Sequence, residues 1–84
     1  MNARYIKVRF GVAAKKCDVS FDDPRISKQH CVFEVRECGV VLSDLNSHNG
    51  TYVNGIKIPA EHLLHVGDTL QLGNIVLRVI QLAR

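Results

Sequence analysis

The sequence lacks tryptophan, contains only two prolines and has no long hydrophobic run. A segment that spans a membrane needs about 20 consecutive apolar residues, so the sequence predicts no membrane contact. The first ten residues alternate polar and apolar side chains, whereas a secretory signal peptide would be continuously apolar there. We therefore expect an intracellular protein, located in the nucleus or the cytoplasm.

The sequence has three cysteines, an odd number, and no Cys-x-x-Cys pair. In an intracellular chain, Cys17, Cys31 and Cys38 are expected to be free thiols packed as small, buried apolar residues. A zinc site would have to combine His62 and His65 with these scattered cysteines, which is not a usual ligand spacing. The sequence thus predicts neither a metal site nor a cofactor.

Size and charge restrict the function further. A chain of 84 residues is expected to form a single domain over residues 1–84 that buries roughly 60% of its unfolded surface. Residues 1–36 carry eight Lys and Arg against four acidic residues, so an anion-binding face should draw on this half. The net charge of +3 is modest, and no basic stretch is interleaved with aromatic residues. Nucleic-acid binding is therefore disfavoured.

Alternating apolar and polar side chains predict β-strands along the chain. The pattern covers residues 5–10, and it recurs at 31–35 and from 40 onward, where a turn at 37–39 suggests a hairpin. Two further runs flank Gly73-Asn74, a pair that favours a tight hairpin turn. Residues 60–66 are too short for a convincing helix and are interpreted as a turn or a single helical turn. Strands about every ten residues predict an antiparallel β-sandwich of two sheets.

Two Asn-Gly pairs lie close together around the short run Thr-Tyr-Val. Asn54-Gly55 is explained by hairpin geometry alone, since both residue types tolerate positive φ. Asn49-Gly50 ends a seven-residue polar segment, 44–50, which is longer than a hairpin turn needs. Long polar loops on a rigid sandwich often carry function, so this loop is a candidate binding site.

Four short motifs occur in a fixed order. They are Ser27-x-x-His30, the run from Asp44 to Thr51, Val53-Asn54-Gly55, and Gly67-Asp68 followed by Leu72-Gly73. Together they resemble the forkhead-associated (FHA) domain, a β-sandwich that binds phosphothreonine peptides. The resemblance spans residues 11–79 and implies a phosphopeptide-binding module for signalling, with no catalysis and with threonine-phosphorylated proteins as partners.

The resemblance also implies roles for individual residues. Ser27 would donate its hydroxyl to the phosphate, and Lys28 would add charge or contact the peptide backbone. Asn49 would bond the ligand main chain, and His48 would line the pocket. Arg25 is a further cation of the same loop. A structural role is implied for His30, which would fix the loops, and for Gly11, Gly50, Asn54, Gly55, Gly67 and Asp68.

The sequence departs from the family pattern in two places. The family carries Gly-Arg where this chain has Gly11-Val12, so a main phosphate contact is missing, and Lys15 and Lys16 are nearby cations that could compensate. The amino end is also too short for the strand that the family normally has there. The resemblance therefore predicts a sandwich that lacks this strand, or that takes a strand from a partner or a second copy through an exposed edge.

Several alternatives stay open at this stage. Ser27 and His30 could be a turn hydroxyl and a core histidine, and Asn49 could be only a turn residue. A hydrolase built from Ser27, His30 and Asp44 lacks any nucleophile elbow, so an enzyme is not expected. The main competing function is a degenerate FHA-like domain that no longer needs phosphate and serves as a structural or oligomerisation module.

Overall fold

Residues 7–82 are described by the computed structural model, in which two β-sheets pack face to face. The strands are β1 (Lys7–Gly11), β2 (Val19–Ser20), β3 (Cys31–Arg36), β4 (Gly39–Asp44), β5 (Thr51–Val53), β6 (Ile56–Lys57), β7 (Glu61–Leu63), β8 (Thr69–Leu72) and β9 (Ile75–Arg78). One sheet has the order β2-β1-β3-β4-β7 and the other the order β6-β5-β8-β9. Neighbouring strands are antiparallel except for β1 and β2, which run parallel. The predicted two-sheet sandwich is therefore confirmed.

The core lies between the two sheets. Buried side chains from both inner faces form one cluster, among them Cys31, Leu42, Val53, Leu70 and Leu72. Removal of their apolar surface from water is the main force that holds the sheets together. No helix among residues 7–82 is long and apolar enough to cross a membrane.

The three predicted hairpins are present, and the turns at Gly73-Asn74 and Asn54-Gly55 use the expected left-handed backbone. Gly73 has a φ of 57° between β8 and β9. Asn54 (φ 52°) and Gly55 (φ 83°) are both left-handed between β5 and β6. Residues 5 and 6 of the predicted first strand lie outside the described residues, and its remainder is β1.

The interpretation of residues 60–66 as a turn or a helical turn is wrong, because Glu61–Leu63 forms β7 beside β4. The backbone groups of a short isolated helix are poorly stabilised in water, whereas β4 offers them a partner strand. Arg36 binds the Glu61 carboxylate at 2.9 Å, and Leu64 is buried. Tertiary pairing thus overrides the weak helical preference of this segment.

The cysteines are free, as predicted, but they are not equally buried. Cys31 is fully buried, and burial raises the pKa of its thiol to about 12. Cys17 is half-buried, and its thiol donates to the Lys28 carbonyl at 3.1 Å. Cys38 is exposed in the turn between β3 and β4, so the prediction of a buried residue is wrong there. A two-residue turn at the end of a hairpin cannot reach the core.

Candidate functional site

The loop between β2 and β3 is shaped by Asp23. Its carboxylate accepts the backbone N–H of Arg25 at 2.9 Å, and its second oxygen accepts the backbone N–H of Asn74 at 2.9 Å. These two bonds hold the pKa of the nearly buried Asp23 carboxyl below its usual value. Asp23 therefore ties this loop to the β8–β9 turn. Sequence reasoning missed it, although an Asp that bonds the backbone two residues on is a known turn pattern.

Ser27 and His30 lie in the same loop and contact each other. The backbone N–H of Ser27 donates to Nδ1 of His30 at 3.0 Å. Because Nδ1 accepts, the proton of the neutral ring sits on Nε2, which donates to the Gly50 carbonyl at 2.9 Å. His30 has an exposed fraction of 0%, so it joins two loops from inside the protein.

The loop between β4 and β5 is organised by the Asp44 carboxylate. Asp44 accepts hydrogen bonds from the Ser47 hydroxyl at 2.6 Å and from the Thr51 hydroxyl at 2.7 Å. The Ser47 hydroxyl oxygen in turn accepts the Gly50 N–H at 3.0 Å. Burial alone would raise the pKa of Asp44, but the bonds from Ser47 and Thr51 outweigh it, and the pKa lies below its usual value.

The lowered pKa of Asp44 predicts a loss of stability in acid. Its folded-state pKa lies below the unfolded value of about 3.9, so its contribution is fully present above about pH 4 and is lost as the pH falls through the folded value. Urea unfolding between neutral pH and about pH 3 measures this loss. The matched variant Asp44→Asn should be less stable at neutral pH and show a flatter pH dependence. If the free energy of unfolding of the two proteins depends on pH in the same way, the prediction is wrong.

Two hydrogen bonds join the β2–β3 and β4–β5 loops at the surface. The backbone N–H of His48 donates to the Ser27 hydroxyl oxygen at 2.9 Å. The side-chain amide of Asn49 donates to the Arg25 carbonyl at 2.8 Å. The five predicted binding residues therefore lie together at one end of the sandwich. Four of them, Arg25, Lys28, His48 and Asn49, are exposed, and Ser27 is half-buried.

The segment after β1 packs against the same loop. Val12 and Ala13 donate their N–H groups to the carbonyls of Ser27 and Lys28, at 3.0 and 3.1 Å. A Cβ on Gly11 would lie 2.2 Å from the Lys28 carbonyl oxygen, so only glycine fits there without a shift of the backbone. Arg25, Ser27, Lys28, His48 and Asn49 form the rim of the candidate site. Val12 lies next to this rim, is 37% exposed and carries no charge.

A shallow groove of ≈ 470 Å³ continues from this rim and is lined in part by Arg25, Asn49, Tyr52 and Gln71. The guanidinium of Arg25 donates to the Asn74 side-chain oxygen at 3.2 Å, which holds it at the groove. Asn49 belongs both to this groove and to the β4–β5 loop, and the Arg25 guanidinium is a cation that suits an acidic group.

The remaining predicted structural residues form a separate network. Asn54 donates to Asp68 at 3.0 Å and accepts the Thr69 N–H at 3.0 Å. The His65 N–H and the Asn54 amide hold the pKa of Asp68 below its usual value. Gly67, with a φ of 100°, donates to the Val79 carbonyl at 2.7 Å. These contacts fix the β5–β6 and β7–β8 turns without reaching the rim.

The sequence model of the FHA domain family matches residues 8–73. Mouse (Mus musculus) proliferation marker protein Ki-67 is 37% identical over 57 residues, which are 68% of this chain and 2% of Ki-67. The FHA domain of CT664 from Chlamydia trachomatis superposes with a TM-score of 0.86 at 26% identity, over 93% of this chain and 79% of that one. A chain from a structural and functional analysis of phosphothreonine-dependent FHA domain interactions gives 0.84 at 27% identity, over 98% and 83%.

The fold matches that of solved FHA domains, which are interaction modules rather than enzymes. The chain belongs to the FHA domain family, because the family model covers most of its length. Membership of this family and its solved relatives support a phosphopeptide-binding module with phosphorylated protein partners. The chain spans only 2% of the length of Ki-67.

Proposed function

We propose that this chain is a phosphothreonine-dependent protein interaction module, and that the β2–β3 and β4–β5 loops bind the phosphorylated segment. The proposal rests on the hydrogen bonding of the Ser27 hydroxyl group. Its oxygen accepts the His48 N–H at 2.9 Å, and among residues 7–82 no group accepts the hydroxyl proton, which can therefore be donated to a ligand at the rim. A phosphate oxygen is a strong acceptor for such a donor.

The rest of the site has the groups that a phosphopeptide needs. Lys28 supplies an exposed ammonium group next to Ser27, and Lys15 and Lys16 belong to the exposed segment that packs against this loop. Asn49 is exposed, and its side-chain oxygen can accept from the ligand main chain while its amide holds the Arg25 carbonyl. His48 would line the phosphate or a flanking residue.

The groove beside Arg25 extends this proposal to sequence specificity. A peptide that places its phosphothreonine at Ser27 would extend across Asn49 towards the groove. The guanidinium of Arg25 would then select an acidic side chain a few residues beyond the phosphothreonine. Arg25→Ala should lower affinity only for peptides that carry this acidic residue.

The experiment that tests the function is a calorimetric titration with three matched peptide pools. The pools carry phosphothreonine, phosphoserine or unmodified threonine at the same position, and each is measured at low and at physiological salt. Binding of the phosphothreonine pool alone, weaker at higher salt, is the expected result. Equal binding of all three pools, or no binding at all, would contradict the proposal.

A second candidate function is a phosphate-independent structural or oligomerisation module. Val12 is the observation that favours it, because an uncharged and 37% exposed side chain stands at the rim of the site. Loss of a hydrogen bond to a charged group costs about 1.5–3 kcal/mol, or about one to two decades of affinity. The titration described above separates the two functions, because a phosphate-independent module would not distinguish phosphorylated from unmodified peptides.

Val12→Arg is expected to strengthen phosphopeptide binding by about tenfold or more. A guanidinium at the rim can add a charge-assisted hydrogen bond to the phosphate beside Ser27. The same titration measures the gain, with Val12→Gln as the control of similar length but no charge. If Arg and Gln give the same affinity, the site does not hold a phosphate next to residue 12.

A further inference from the structure

Lys57 lies on the outer face of the smaller sheet, beside the groove of the candidate site. Thr51 and Val53 are buried, so Tyr52 between them points to the outer face. Tyr52 is paired with Lys57 on β6 and with Gln71 on β8, and directly opposed residues share one face of a sheet. The three side chains therefore form one row across the sheet, with Tyr52, a lining residue of the groove, in the middle.

The side chain of Lys57 packs against Gly50, at the end of the β4–β5 loop. A Cβ on Gly50 would lie 2.7 Å from Cε and 3.2 Å from Cδ of Lys57, so the lysine stem occupies the space that the glycine leaves open. Gly50 is fixed in turn, because its carbonyl accepts from His30 and its N–H donates to the Ser47 hydroxyl. The Lys57 ammonium is one bond beyond Cε, and this packing places it at the loop that carries Asn49.

Lys57 is not paired with an acidic side chain in the described part of the chain. All eight acidic residues of the sequence lie within residues 7–82, so the residues outside this range add no further carboxylate side chain. The ion pairs within this range use the carboxylates of Glu34, Glu61 and Asp68. Neither Lys57 nor Arg25 takes part in them. The exposed Lys57 ammonium can therefore bind an acidic group of a ligand.

Lys57 and Arg25 lie on opposite sides of the groove. Arg25 packs at the end of β8, where a Cβ on Gly73 would lie 2.9 Å from its own Cβ, and its guanidinium is bonded to Asn74. Lys57 belongs to β6, which lies on the other side of β5. Because neighbouring strands are about 4.8 Å apart, β6 and β8 are separated by roughly 10 Å. One carboxylate cannot bond both cations across this separation, so each can select a different ligand residue.

We propose that Lys57 is a second specificity-determining residue, which binds an acidic ligand side chain at a different position from the one that Arg25 selects. This inference rests on the proposed function, because it takes the ligand to be a phosphothreonine peptide that crosses Asn49. An extended peptide on this face passes over Tyr52 between the two cations, and its successive side chains point to opposite sides. Acidic side chains on both sides of the ligand chain are then bound at the same time.

Calorimetric titration with a set of phosphothreonine peptides tests the proposal. One glutamate is placed in turn at each position beside the phosphothreonine of a peptide whose other residues are uncharged. At one position, Lys57→Gln should lose about two- to fivefold more affinity than it loses for the peptide without glutamate, as expected for an exposed ion pair. Arg25→Gln should do so at a different position. Arg78→Gln is the matched control, since it removes an exposed charge from β9 of the same sheet and should show no such position.

A charge exchange gives a second readout. Lys57→Glu should prefer lysine to glutamate at the selected ligand position, which reverses the preference of the unmodified chain. Equal losses at every glutamate position, the same pattern in Arg78→Gln, or no reversal in Lys57→Glu would overturn the inference while phosphothreonine-dependent binding stands. If no phosphothreonine peptide binds the unmodified chain, the proposed function is wrong, and this inference with it.

Discussion

Ser27→Ala is expected to weaken phosphopeptide binding by about ten- to a hundredfold while the fold stays intact. The substitution removes the hydroxyl proton that would donate to the phosphate, a bond to a charged group. It keeps the backbone N–H of Ser27, which donates to His30, so the loop stays anchored. The His48 N–H that loses its acceptor lies at the exposed rim, where water can replace the hydroxyl. Calorimetric titration with a single phosphothreonine peptide measures the loss, and urea unfolding measures stability.

Asn49→Ala should reduce binding in the same way, because Asn49 lies on the second loop and faces the same rim. Gln29→Ala provides the control, since Gln29 is exposed in the β2–β3 loop but has no assigned role in the site. Loss of binding in all three variants would indicate general damage to the loop. Normal binding by Asn49→Ala would show that the family role does not apply to the β4–β5 loop of this chain.

The parts of the fold that the sequence predicted are governed by local chemistry. Gly73-Asn74 and Asn54-Gly55 specify tight turns because few residues adopt the required backbone angles, and both hairpins are present. The alternation of apolar and polar side chains in β1 and β3 also predicts which side chains face the core. Such signals need only a few neighbouring residues, so a single sequence contains them.

The parts that the sequence did not predict depend on residues far apart in the chain. Glu61–Leu63 becomes a strand only because β4 lies beside it and Arg36 binds Glu61. The bond from the Asn74 N–H to the Asp23 carboxylate joins residues 51 positions apart. Neither contact has a local signature that distinguishes it from ordinary turn or surface chemistry. The sequence therefore predicted the residues of the candidate site and a role for His30 in fixing the loops, but not the bonds of Asp23 that also position them.

The two Asn-Gly pairs illustrate this limit. They are identical as dipeptides, yet Asn54-Gly55 closes a hairpin within one sheet, whereas Asn49-Gly50 ends a loop that passes from one sheet to the other. In Asn54-Gly55 both residues have a left-handed backbone. In Asn49-Gly50 only Gly50 does, with a φ of 88°. Asn49 therefore does not adopt the left-handed turn conformation, and its side-chain amide donates to the Arg25 carbonyl.

His30→Ala is expected to lower the free energy of unfolding by about 2–5 kcal/mol and to weaken phosphopeptide binding as well. His30 is completely buried and bonds the Ser27 N–H and the Gly50 carbonyl. Alanine leaves a cavity and two polar groups without partners, and it releases the two loops from each other. Urea unfolding at neutral pH gives the stability, and titration with a phosphothreonine peptide gives the affinity.

The comparison with Ser27→Ala and His48→Ala separates a structural role from a binding role. Ser27→Ala should lose affinity at nearly unchanged stability, whereas His30→Ala should lose both, because His30 acts on the ligand only through the loops that it joins. His48→Ala removes an exposed ring but keeps the backbone N–H that donates to Ser27, so its stability should change by less than about 0.5 kcal/mol. If His30→Ala unfolds at the same urea concentration as the unmodified chain, the buried histidine does not hold the loops together. The bonds of Asp23 and Asp44 and the two surface bonds between the loops then position the site.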